Sequence, residues 1–101
     1  MTREMTTNPM NKVILSRRFK KDVRLAQKRG LNLDLLTQVV MTLARGDSLP
    51  PKLRDHELSG KLKGFRECHI LGDWLLIYRI SKAPPELFLS RTGSHSYLFG
   101  K

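Results

Sequence analysis

The chain has 101 residues, with 19 Lys and Arg against nine Asp and Glu, a formal charge of +10 and a single cysteine. That length suits one domain burying about 60 to 70% of the surface its unfolded chain exposes, so a core forms without disulfide or metal. No apolar run approaches the roughly 20 residues that span a bilayer, residues 1–12 lack the apolar centre of a secretory signal, and Cys68 alone makes no internal bridge, so the expected setting is a reducing cytoplasm. The charge calls for an anionic partner, either nucleic acid or an acidic protein, and does not choose between them.

Residues 1–11 carry Met, Thr, Asn and Pro without periodicity and read as a flexible leader before a single domain, 12–101. Val13-Ile14-Leu15 is a short, partly β-branched strand. A helix follows at once over 16–29, with Ser16 as its N-cap and Gly30 as its stop. Phe19, Val23 and Ala26 fall on one stripe, and Arg17, Lys20, Lys21, Arg24 and Lys28 on the other side. Residues 17–29 hold seven basic side chains against one acid. A merely solvated helix usually mixes both signs to gain (i, i+4) pairs, so this face is read as binding an anion.

A second helix is expected from about Asp34 to Arg45, capped by Asn32 or Asp34, with Leu35, Leu36, Val39, Val40 and Leu43 facing the core. The short link Gly30-Leu31-Asn32-Leu33 makes the pair an antiparallel hairpin over one face of a sheet. Residues 46–55 read as loop from their Gly, Asp and tandem Pro. Three strands complete the chain: Phe65–Ile70, alternating; Trp74–Ile80, apolar on both faces as in a central strand; and Leu87–Thr92, after the turn Lys82-Ala83-Pro84-Pro85. The order β-α-α-β-β-β gives an α+β fold, a mainly antiparallel sheet with its helices on one side.

The three histidines all lie in the C-terminal half. Cutting RNA without a metal uses the neighbouring 2′-hydroxyl as nucleophile, so the protein supplies a base, an acid for the leaving 5′-oxygen and cations for the phosphorane. His56 and His69 are candidates for proton transfer, and Arg91 for a bidentate phosphate contact. His95 follows across Thr92-Gly93-Ser94, read as a turn bringing both side chains to one sheet edge. Asp73 holds a histidine tautomer, acts in the site, or simply shapes its turn. Trp74 packs in the core or stacks on a base, and Phe99 stacks on a base, closes the site or packs the terminus. Cys68 is core, on the strand face opposite His69. The histidine spacings lack a close pair such as H-x-x-x-H, so no metal and no cofactor is expected.

Arg54-Asp55-His56-Glu57-Leu58-Ser59-Gly60, Lys63-Gly64-Phe65-Arg66-Glu67-Cys68-His69, Asp73-Trp74-Leu75-Leu76-Ile77-Tyr78 and Arg91-Thr92-Gly93-Ser94-His95-Ser96-Tyr97-Leu98-Phe99-Gly100 together resemble the YafQ-type toxins of the RelE superfamily. The resemblance reaches back through residues 19–29 and covers about 13–100. It implies a RelE-like fold and a bacterial, cytoplasmic toxin of a type II toxin–antitoxin pair that cleaves mRNA in the ribosomal A site. A cognate acidic antitoxin protein, the ribosome and mRNA are the implied partners. The family's functional positions fall on His56, His69, Asp73, Trp74, Arg91, His95 and Phe99, and it assigns imidazoles and acid to proton transfer, arginine to phosphate and aromatics to holding RNA. Pro84-Pro85 is expected to enlarge the last hairpin. Two other readings compete. A ParE-like scaffold acting on gyrase would not need these histidines, and a general RNA-binding domain would carry exposed aromatics in its basic face.

Overall fold

The computed structural model describes residues 11–100. The leader expected over 1–11 lies outside this range except for Asn11, whose N–H donates to the Ala44 carbonyl at 2.8 Å. The elements are β1 (Lys12–Leu15), α1 (Arg17–Lys28), α2 (Leu33–Ala44), β2 (His56–Glu57), β3 (Arg66–Leu71), β4 (Trp74–Lys82), β5 (Pro85–Ser94) and α3 (His95–Phe99), with 3-10 turns at Pro51–Leu53 and Gly60–Leu62. They form a five-stranded sheet in the order β1-β5-β4-β3-β2. β1 runs parallel to β5, and the other neighbours are antiparallel.

The expected β-α-α-β-β-β order stands, with β2 and α3 added. The helix ends follow their capping chemistry. Ser16 Oγ accepts the Phe19 N–H at 2.9 Å, Asn32 Oδ1 accepts the Asp34 N–H at 3.0 Å, and Gly30 takes the left-handed conformation, φ 79°, just past α1. At α3, Ser94 Oγ accepts from the Tyr97 N–H at 3.1 Å, so Thr92-Gly93-Ser94 is not the expected turn but the end of β5, running straight into a helix.

The core lies between the helices and one sheet face. Phe19 and Ala26 of α1 and Leu36, Val39, Leu43 and Ala44 of α2 pack on Cys68, Ile70, Trp74, Leu76, Tyr78, Leu87 and Leu89. Leu75 and Ile77 are also buried but belong to no part of this cluster, because alternation along β4 turns them to the face away from α1 and α2. α3 folds back onto that face at Gly93, where a Cβ would come within 2.6 Å of Tyr97 Cδ2.

Two details of β5 position the site. Lys82 pairs with Pro85, so Ala83-Pro84, joined by a cis peptide bond, is a two-residue turn and the tandem proline does not enlarge the hairpin. Pro85 opens its strand, where proline is tolerated in a ladder. Further on, Ile77 pairs with Arg91 and Tyr78 with Leu89, leaving Ser90 as the extra residue of a bulge. β1 pairs with β5 only as far as Leu89. Ser16 then binds the bulge through Oγ to the Ser90 carbonyl at 2.7 Å, and α1 takes over the edge beside Arg91.

Candidate active site

Three linked clusters occupy the sheet face away from α1 and α2 and its C-terminal edge. The first joins β2 to β3. His56 pairs in register with Glu67, and His69 lies two residues beyond Glu67 on the same strand face. The Nε2 atoms of His56 and His69 sit 3.6 and 3.9 Å from the same oxygen, Glu67 Oε2. The Glu67 side chain is only 9% exposed, and both imidazoles face it. His56 Nδ1 lies 2.7 Å from the Arg54 carbonyl, which can only accept, so Nδ1 carries the hydrogen and Nε2 faces the carboxylate. Arg54 holds that carbonyl in place from a left-handed backbone, φ 53°, a conformation that costs a non-glycine residue about 1 to 2 kcal/mol. Glu67 was legible only as one member of the alternation Phe65, Glu67, His69, and β2, which brings His56 beside it, is too short to leave a periodic signal.

Behind His56, Asp55 anchors the loop to the sheet. Its carboxylate receives Arg66 Nε and Nη2 at 3.2 and 3.3 Å and the Tyr78 hydroxyl. Burial, together with that hydrogen bond, pushes the Tyr78 hydroxyl well above the usual tyrosine range, and Asp55 raises Arg66. Cys68 is fully buried on the opposite strand face from His69, and burial with the nearby Asp55 and Glu67 charges pushes its thiol up to about 12. It is a core residue.

The second cluster lies around the β3–β4 turn and α3. His69 Nδ1 reaches the Gly72 carbonyl at 3.4 Å, and Asp73, next in the turn, accepts the His95 backbone N–H at 3.3 Å. Asp73 therefore fixes the start of the helix that carries His95. Phe99, one helical turn on, packs its ring 4.8 Å from the His95 imidazole. Trp74 corrects the expectation of a base-stacking residue. It is 5% exposed, on the helix-facing side of β4, and its Nε1 donates to Thr92 Oγ1 at 2.9 Å, which in turn donates to the Leu75 carbonyl at 2.7 Å. The indole braces the strand beside Arg91 and has no face free for RNA.

The third cluster centres on a residue that sequence reasoning does not single out. Asp22 is the one acid of the basic helix α1, and its side chain is 1% exposed. It accepts Arg91 Nε at 2.7 Å, Arg91 Nη2 at 3.2 Å, the Thr92 N–H at 3.1 Å and the Tyr97 hydroxyl at 2.9 Å. One carboxylate thus closes the strand edge that β1 leaves open, ties down α3 and grips the guanidinium. The hydrogen bonds that Arg91 donates to Asp22 raise its pKa against the opposing effect of burial. They also consume the Nε/Nη2 edge of the fork, so the bidentate phosphate contact expected of Arg91 is left to its outer edge. A lone acid among seven bases, on the side of the helix that packs, was the available signal.

Arg17, Lys20, Lys21, Arg24 and Lys28 are all exposed along α1. Asp22, on the packing side of the same helix, reaches Arg91, so α1 itself adjoins the site while these bases point away from its packed side.

Residues 11–100 match the family described as "Bacterial toxin of type II toxin-antitoxin system, YafQ". The chain belongs to that family. It is 42% identical over 87 residues to the mRNA interferase toxin YafQ of Escherichia coli K12, covering 84% of this chain and 91% of the relative. A metal-bound toxin from Helicobacter pylori is 49% identical, with a TM-score of 0.84 over 89% of this chain and all of the other. YafQ in the E. coli DinJ–YafQ toxin–antitoxin complex is 37% identical, with a TM-score of 0.82 over 90% of this chain and 99% of the other.

Proposed function

We propose that this toxin is an mRNA interferase that cuts mRNA in the ribosomal A site by attack of the 2′-hydroxyl on the adjacent phosphate, and that an acidic antitoxin protein silences it. The observation that carries the reading is the grouping, around one sheet face and its edge, of two imidazoles on a nearly buried carboxylate, a pinned guanidinium, and His95 at the helix start that Asp73 holds.

In this mechanism His56 Nε2 takes the 2′-hydroxyl proton, since its Nδ1 hydrogen is held by Arg54, and Glu67 stabilises the imidazolium that forms. His69 shares that carboxylate and steadies it. The O2′–P bond forms, the P–O5′ bond breaks, and His95 delivers the proton to the departing 5′-oxygen. The outer N–H groups of Arg91 meet the charge that builds on the phosphorane. Asp73 and Phe99 set the position of His95. The products are a 2′,3′-cyclic phosphate and a free 5′-hydroxyl, and no step passes through a metal. Exposed bases on α1 hold the toxin on ribosomal RNA.

The test is inducible expression of wild type beside His95→Ala and Arg91→Ala, with cleavage followed on a ribosome-bound message. Wild type halts growth and both variants relieve it, because a positioned proton donor is worth about 10² to 10⁴ in rate. A message with a single 2′-deoxy residue at the cut position stays intact, while chelation at levels that spare the ribosome leaves cutting unchanged. Equal toxicity of all three proteins, or cleavage of the deoxy message, overturns the assignment.

A further inference from the structure

Beside the site on the same sheet face lies a cluster that none of the proposed steps uses. Arg79 follows Ile77 by two residues on β4, and Ile77 is flanked in register by Glu67 and Arg91. Arg79 pairs in register with Phe88, and Phe65 stands two residues before Glu67, so all three share the face of the site. The Arg79 guanidinium carbon lies 4.9 Å from the Phe65 ring centroid and 5.2 Å from that of Phe88, and the two rings meet edge to face at 6.4 Å.

Stacking restrains a guanidinium without using its in-plane donors. Among the described residues no carboxylate pairs with Arg79, and the side chain is exposed. A cation with an apolar stem often lies over apolar surface simply to cover it. What distinguishes Arg79 is its position. It is one row, about 7 Å, from the Glu67–Ile77–Arg91 row along the strand, a step comparable to that between successive phosphates of an extended single strand.

We propose that Phe65, Arg79 and Phe88 form a subsite for the RNA phosphate next to the one that is cut. Arg79 donates to that phosphate, and the two rings hold the guanidinium flat in advance. The subsite rests on the site assignment above and adds to it a register for the strand, with Arg91 on the scissile phosphate and Arg79 on its neighbour.

The test measures KM and kcat for cleavage of ribosome-bound messages in which one phosphate, either directly 5′ or directly 3′ of the cut, is replaced by an uncharged methylphosphonate. With wild type, one of the two replacements raises KM by about tenfold, the scale of removing one charge-assisted hydrogen bond, and leaves kcat within about twofold. Arg79→Gln raises KM on the natural message by a similar factor and is insensitive to that replacement. Phe88→Leu, which keeps the charge but removes a ring from beneath it, reduces the same sensitivity, and it serves if Arg79→Gln fails to fold. Wild-type KM in a folded Arg79→Gln, or undiminished penalties at both flanking phosphates in the variants, overturns the subsite. Failure of the site assignment is separate, since it shows as cleavage by His95→Ala.

Discussion

Replacing Asp22 with Asn removes one charge from the tightest polar cluster of the fold while keeping its shape. The carboxylate accepts four hydrogen bonds, two of them from Arg91 and the others from the Thr92 N–H and the Tyr97 hydroxyl. An amide has one oxygen to accept with, and its NH2 group faces donors. Breaking a fully buried ion pair from one side costs about 3 to 5 kcal/mol. The Arg91 side chain is 18% exposed and regains some water, so the lower end applies, about 3 kcal/mol. In a domain of this size each kcal/mol shifts the melting temperature by about 4 to 8 °C, which gives a drop of about 12 °C or more. The measurement is thermal unfolding of Asp22→Asn against its parent, both carrying His95→Ala so that they can be expressed. A double-mutant cycle with Arg91→Gln should return a coupling of at least about 1.5 kcal/mol. A melting temperature within about 2 °C of the parent would refute the role given to Asp22.

On the basic face, Lys20→Glu with Lys21→Glu should weaken ribosome association and flatten its salt dependence by about 0.7 to 0.9 log units for each phosphate the helix no longer neutralises. Unchanged ribosome affinity would show that these charges are only solvated or serve the antitoxin, and antitoxin binding to the same variant separates those two. For Cys68, whose thiol is pushed up to about 12, the native protein should resist maleimide near pH 8.5 and label at once when unfolded. The sign follows from linkage: the unfolded chain loses that proton first, so stability falls as pH rises above the ordinary thiol range towards the native value. Rapid native labelling would contradict its burial.

The elements that the sequence determined are those with a local physical cause. Helix α1 begins at Ser16 and stops before Gly30 because a hydroxyl can cap a helix and a glycine can end one, and both residues act within a single turn. The apolar stripe of α2 is periodic and the apolar run of β4 continuous, so both were readable, as were the three histidines and Arg91 as candidate chemistry. Tertiary structure decided what depends on residues far apart in the chain. Asp22 and Arg91 are 69 residues apart, and their pairing exists only because β1 ends at Leu15, opposite Leu89, and leaves a strand edge for α1 to close. Glu67 became the shared partner of His56 and His69 through a two-residue strand with no periodicity to detect. Trp74 reads first as core, with base stacking as the alternative, and its place against the helices settles that it packs. A sequence displays propensity and pattern, which are local; partners for a charge or a ring are chosen by the closing of the sheet, and that is where this site was made.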